Sequence, residues 1–159
     1  MPPGTIIGPY RLLESSAKAA WANVSLGPAF TLMNPAWFPG GERLLYAKGP
    51  SEGSQLVAQR ADGASDPSPL ATGSYGRVSA DGKWFLWLED DRGQGRLRYA
   101  SFDGNAPGEK RTFPGTEKSS VRTFDLSPDG RLLTYSAPEA DQQLNIHLTS
   151  SRARVRGGR

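Results

Sequence analysis

Residues able to do chemistry are few in this sequence, and their spacing suits catalysis poorly. His147 is the single histidine and cysteine is absent, so a metal site would have to be assembled from carboxylates on separate loops. His147 is better read as a strand or surface side chain. Glu89-Asp90-Asp91 could attract a hard cation such as Ca²⁺, yet it lacks the alternating oxygen spacing of a dedicated calcium loop. A solvated loop is the better reading. Asp62, Asp81, Asp103 and Asp129 each precede a glycine, a pairing that assigns them to turns, where the carboxylate bonds the nearby backbone. Serines are abundant, but none lies in a Gly-x-Ser-x-Gly elbow. Trp21, Trp37, Trp84 and Trp87 could stack on a ligand. The residues supply no catalytic set, no cofactor-binding motif and no metal-ligand cluster, and they leave the binding residues unassigned.

The elements that position these side chains repeat. Leu126-Ser127-Pro128-Asp129-Gly130-Arg131-Leu132-Leu133-Thr134-Tyr135 reads as strand, tight turn, strand. Pro128 presets the φ that opens a turn, and Gly130 supplies the positive φ that other residues resist. Variants occur twice upstream, and the three copies align on Gly41, Gly82 and Gly130. Three and five residues past each glycine stand Leu44 and Tyr46, Phe85 and Trp87, Leu133 and Tyr135; four before it stand Trp37, Val78 and Leu126. A later strand brings Leu56, Leu97 and Leu144, and Asp62-Gly63 and Asp103-Gly104 close it in two copies.

A period of roughly 40 to 45 residues with four short strands per unit is the signature of a propeller blade. The predicted strands are 35–38, 43–48, 55–60 and 68–72 in the first unit. In the second they are 76–79, 84–89, 97–102 and 111–113. In the third they are 123–127, 132–136 and 144–148, with the fourth missing or altered. The fold class is therefore all-β, a partial β-propeller of about three four-stranded antiparallel blades. Blades at about 34–73, 75–114 and 121–148 occupy 31–148, after a non-repeat segment at 1–30 and before a basic tail at 149–159 that is expected to be disordered. Within 1–30, apolar spacing allows a short helix over Leu12 to Trp21.

A single blade cannot bury both its faces, so its alternating apolar residues must pack on neighbouring blades. Leu44, Tyr46, Phe85, Trp87, Leu133 and Tyr135, with Leu56, Leu97 and Leu144, are the expected inter-blade core. Alternation then leaves Trp84, on the other face of its strand from Trp87, as the one tryptophan expected to be partly exposed. Propellers close with about four to eight blades. Three must therefore belong to a longer protein, which is the favoured reading, leave an open end, or complete a ring by self-association.

Composition agrees with many short strands: 19 glycines and 13 prolines interrupt the chain too often for long helices. The sequence pI is 9.4, but Arg152, Arg154, Arg156 and Arg159 account for four of the 19 basic residues. The body to Ser151 then carries 15 basic residues against 16 acidic ones, which disfavours a nucleic-acid surface. No apolar run approaches the roughly 20 residues of a membrane helix, and no secretory signal is visible. The expected location is the cytoplasm, or a periplasmic or extracytoplasmic compartment if the chain is a fragment of a longer one.

Asn34-Pro35-Ala36-Trp37-Phe38-Pro39-Gly40-Gly41-Glu42-Arg43-Leu44-Leu45-Tyr46, Ser79-Ala80-Asp81-Gly82-Lys83 and Leu126-Ser127-Pro128-Asp129-Gly130-Arg131 resemble the Ser-Pro-Asp-Gly-Lys repeat of TolB-like β-propellers. The second copy has Ala80 in place of proline and the first has Gly40 in place of aspartate. The resemblance covers about residues 34–148. It implies a platform that binds a protein or peptide partner, or else a regulatory or gating propeller attached to a serine/threonine kinase or a prolyl-oligopeptidase-like serine peptidase. The segment from Pro3 to Glu14 resembles the opening strand of bacterial serine/threonine kinases, a group often fused to such propellers. Where that family continues into a glycine-rich phosphate loop, this chain has Ser15-Ser16-Ala17-Lys18-Ala19-Ala20-Trp21, and no His-Arg-Asp or Asp-Phe-Gly segment follows. A kinase-propeller gene that has lost its catalytic middle is the corresponding expectation.

Overall fold

A computed structural model describes residues 6–7, 10–11, 31–50, 53–139 and 143–151. The helix expected over Leu12 to Trp21, most of the kinase-like opening and the arginines from Arg152 onward lie outside them. No helix occurs among the described residues, and none is long and apolar enough to cross a membrane. β1 (Ile6–Ile7) and β2 (Tyr10–Arg11) pair as a short antiparallel ribbon.

The rest is three antiparallel sheets in chain order. Sheet 1 joins β3 (Thr31–Trp37), β4 (Arg43–Gly49), β5 (Gln55–Arg60) and β6 (Ser68–Thr72). Sheet 2 joins β7 (Ser74–Val78), β8 (Trp84–Asp91), β9 (Gln94–Ser101) and β10 (Arg111–Thr112). Sheet 3 has three strands, β11 (Thr123–Leu126), β12 (Leu132–Pro138) and β13 (Leu144–Ser150). Each sheet is an up-and-down meander, and β7 touches both β3 and β11. First strands of successive sheets thus lie side by side, as blades do around a propeller axis, and the chain is a partial β-propeller.

Three hydrogen-bonded turns put the sheets in phase. Phe38, Ser79 and Ser127 each donate a backbone N–H to the carbonyl five residues on, and accept one from Gly41, Gly82 and Gly130 in turn. Those glycines have φ of 73°, 71° and 67°, where a Cβ is strained. Asn34 and Tyr75, 41 residues apart, also share positive φ, at bulges in β3 and β7.

Two apolar clusters fill the gaps between sheets. Leu45, Ala47, Leu56 and Ala58 of sheet 1 meet Phe85, Trp87, Ala100 and Phe102 of sheet 2. Leu86, Leu88, Leu97 and Phe113 of sheet 2 meet Phe124 and Leu133 of sheet 3, with Val121 from the connection. Sheet 2, covered on both sides, buries four consecutive residues of β8, from Phe85 to Leu88. Gly76 lies so near sheet 1 that a Cβ there would stand 2.7 Å from Leu45 Cδ2.

This layering corrects part of the expected core. Phe85, Trp87, Leu133, Leu56 and Leu97 are buried, whereas Leu44, Tyr46 and Tyr135 are only half-buried. Leu44 and Tyr46 sit beside the buried Val57 on the face of sheet 1 turned away from sheet 2, and Leu45 and Ala47 take the core positions against sheet 2 instead. Leu144 is exposed. The hairpin after β12 is one residue longer than its counterparts, so register places Ile146, not Leu144, where Leu56 and Leu97 stand. The last strand also runs past Leu148 to Ser150, and Ser151 N–H donates to Arg131 O. Ordered structure therefore extends into the segment expected to be a disordered tail. Trp37, at 60% exposed, is more open than Trp84 and lies beside Leu44 on the face of sheet 1 turned away from sheet 2.

Trp87 stacks on Phe85 with ring centroids 5.0 Å apart, and its buried Nε1 has no hydrogen-bond partner among the described residues. Trp87→Ala should cost roughly 3 to 5 kcal/mol. Trp87→Phe should cost less than half of that, because it removes an unpaired donor and keeps a ring. Urea denaturation of both variants checks the order; equal losses would contradict it.

Candidate functional site

The sheets share one backbone plan, so their differences lie in side chains. At the turn end of the gap between sheets 1 and 2, Phe38 packs on Phe102 at 5.9 Å, and the Arg43 guanidinium lies 4.0 Å from the centre of the Phe38 ring. The same guanidinium donates to Gly104 O at 2.5 Å. A cavity of about 190 Å³ remains there.

One gap further on, hydrogen bonding aligns Ser79 with Phe38, Trp84 with Arg43, and Ser151 with Phe102. Two phenyl rings are replaced by two hydroxymethyl groups, and the gap opens into a cleft of about 480 Å³. That volume is within the range of small-ligand pockets. Its floor is Leu86, Phe113 and Leu126, and its wall is Trp84 and Tyr99 with ring centroids 5.9 Å apart. Tyr99 meets Phe113 edge-on, at 74°. Trp84 is 39% exposed, so an amphipathic face remains open to a ligand. The rim is polar: Ser79, Asp81, Asp129, Arg131 and Ser151.

The rim is held by the turns. Asp81 Oδ1 accepts from Ser79 Oγ at 2.6 Å and from Lys83 N at 3.1 Å, while Ser79 Oγ accepts from Trp84 N at 3.0 Å. Asp129 repeats the pattern with Ser127 Oγ at 2.6 Å and Arg131 N at 3.0 Å, and its Oδ2 accepts from Arg131 Nε at 2.6 Å. Ser151 Oγ donates to Gly130 O. The hydroxyl of Ser79 beside Asp81, and then the Lys83 N–H, hold the Asp81 carboxyl below the usual aspartate range. Ser127, then the Arg131 backbone and guanidinium, hold Asp129 lower still.

The other candidate groups are dispersed and engaged. Glu89 accepts from Arg98 at 2.7 Å and Lys110 at 2.6 Å. Burial alone would raise its pKa, but the two donors outweigh burial and leave the carboxyl below its ordinary value. Asp90 accepts from Gly93 N, and Asp91 pairs with Arg96. Asp62 and Asp103 cap their own turns through Ala64, Asn105 and Ala106. His147 stacks on Tyr135 at 4.8 Å. No group of three potential metal ligands occurs among the described residues. Trp84 is partly exposed, as the alternation of its strand predicts, whereas Tyr99, Phe113 and Ser151 are not singled out by the sequence; the signal for Ser151 is the exchange of Phe38 and Phe102 for serines at equivalent positions.

No family model matches the sequence, and no curated protein matches it. Solved structures do, among them two TolB proteins and a prolyl endopeptidase. TolB from Acinetobacter baumannii is 14% identical with a TM-score of 0.57, over 76% of this chain and 30% of that one. A putative TolB from Agrobacterium tumefaciens is 25% identical with a TM-score of 0.53, over 78% and 43%. A prolyl endopeptidase structure, from work on inter-domain dynamics in catalysis and specificity, is 18% identical with a TM-score of 0.54, over 80% and 21%. The chain thus spans less than half the length of each.

The folded-state pKa of Asp81 and Asp129 lies below that of the unfolded chain, so their contribution to stability is complete above the ordinary aspartate value of about 3.9 and is lost as pH falls below it. Stability should therefore be level near neutrality and decline from about pH 4 downward. The decline should be shallower in Asp81→Asn/Asp129→Asn. Chemical denaturation as a function of pH checks this, and an unchanged acid limb in the double variant would refute it.

Proposed function

We propose that this chain is a non-catalytic binding module, and that the cleft between sheets 2 and 3 receives an apolar or aromatic side chain of a protein or peptide partner. The observation that carries the reading is the exchange of Phe38 and Phe102 for Ser79 and Ser151, which empties at one gap the volume that is filled at the other. Trp84 and Tyr99 supply an aromatic wall and Leu126 part of the apolar floor, while Arg131 and Asp81 on the rim are placed to meet peptide backbone or polar neighbours. Catalysis is not part of the proposal: the carboxylates in the cleft are committed to turn hydrogen bonds.

A second reading makes the sheets a regulatory or substrate-gating part of a kinase or prolyl-oligopeptidase-like enzyme. The shared fold with the prolyl endopeptidase favours that reading, and the same cleft would then contact substrate or a catalytic domain.

Peptides selected from a random library on the purified chain provide the probe. Ser79→Phe, which refills the cleft, and Trp84→Ala, which removes its wall, should each weaken binding of a selected peptide at least tenfold without changing the far-ultraviolet spectrum. Peptides that bind both variants as tightly as the parent chain would place the site elsewhere.

A further inference from the structure

The two gaps between sheets differ in charge as well as in volume, and the difference falls at equivalent positions of the turns. Between sheets 1 and 2 the chain supplies its own cation: the Arg43 guanidinium lies 4.0 Å from the centre of the Phe38 ring and donates to Gly104 O. Between sheets 2 and 3 the pattern is inverted. Trp84 takes the place of Arg43 and Asp81 that of Gly40, so the guanidinium is gone, an indole stands in its position and a carboxylate has been added.

That carboxylate adjoins the rings and lacks a countercharge. Ser79 Oγ donates to Asp81 Oδ1 at 2.6 Å and accepts from Trp84 N at 3.0 Å, so one hydroxyl ties the acid to the residue whose indole walls the cleft. A hydroxyl and the Lys83 N–H hold Asp81, but among the described residues no arginine or lysine forms an ion pair with it, and the Lys83 ammonium acts on it only through space. Asp129, on the sheet 3 side of the rim, differs. It pairs with Arg131 at 2.6 Å, and those two charges offset one another. The cleft is left with one unpaired negative charge at the edge of three aromatic side chains, Trp84, Tyr99 and Phe113. Ring faces and a carboxylate both attract a cation, and tryptophan does so most strongly of the aromatic residues. A planar guanidinium can stack on a ring while its fork of N–H groups reaches an oxygen.

We propose that the partner segment carries an arginine beside its apolar anchor, and that this guanidinium stacks on Trp84 and Tyr99 and pairs with Asp81. The contact supplied from outside is then the one that Arg43 makes within the chain one gap earlier. This rests on the reading of the cleft as a peptide site and adds the charge class of the partner, which is basic. An ammonium fits less well, because it is a compact, strongly hydrated charge that cannot lie flat on the indole.

Peptides selected from the random library on the full chain test this, and arginine should be enriched next to their apolar anchor. For one such peptide, replacing that arginine by its uncharged isostere citrulline and making Asp81→Asn in the protein should each weaken binding about fivefold or more. The two changes together should cost little beyond either alone. Asparagine keeps the oxygen that the turn uses, so circular dichroism should not change. Raising salt from about 0.1 M to about 1 M should weaken the parent complex and spare that of Asp81→Asn. A peptide that is weakened by Ser79→Phe, yet carries no arginine, binds as well with lysine in its place or is indifferent to Asp81→Asn, would overturn this inference and leave the cleft reading standing. Peptides indifferent to both Ser79→Phe and Trp84→Ala would overturn the two together.

Discussion

A meander of three or four short strands is too thin to keep two apolar faces from water by itself, and sheet-on-sheet burial is the constraint on which the rest of this structure depends. Sheet 2 satisfies it on both sides. Its central strand can therefore be apolar at four successive positions, a pattern that on a half-solvated strand would place two large side chains in water. The flanking sheets differ on the faces turned away from sheet 2: Lys48 and Gln59 lie there among apolar residues and the buried Val57 in sheet 1, while in sheet 3 leucine and isoleucine are exposed.

The same constraint makes room for a site. Once backbone hydrogen bonds fix the spacing of the turns, the gap between adjacent sheets has a set width, and side chains at equivalent positions decide whether it is full. Phe38, Phe102 and Arg43 fill it between sheets 1 and 2. Ser79 and Ser151 do not fill it between sheets 2 and 3, and Trp84 is left standing at the edge of a cleft. Ser79 also bonds Asp81 and the Trp84 N–H, so the residue that opens the cleft is also the one that stiffens its rim.

Charged groups serve the architecture. Arg77 bridges β7 to Asp125 of β11 at 2.9 Å, tying the first strands of sheets 2 and 3 together. Arg98, Glu89 and Lys110 join β8 and β9 to the segment that leads into β10.

Much of the fold is legible in the order of residues. A proline or alanine, then aspartate or glycine, then glycine, with apolar residues three and five positions later, dictates a strand, a tight turn and a strand, because only glycine enters the left-handed region at low cost. Three such signals in register imply three similar sheets. Which face of each strand is dry is not written locally, since a period of two gives alternation without saying where the neighbour lies. Leu44 and Tyr46 follow the same pattern as Phe85 and Trp87, yet the latter pair packs against sheet 1 and is buried, while Leu44 and Tyr46 lie on the face turned away from sheet 2 and are half-buried. One extra residue in the last hairpin moves the core position from Leu144 to Ile146, a shift visible only once the strands are paired. The sequence determined the strands and turns through short-range backbone preference. Tertiary structure alone decided the buried faces and the cleft, because each depends on contacts between residues of different sheets, such as Phe38 with Phe102.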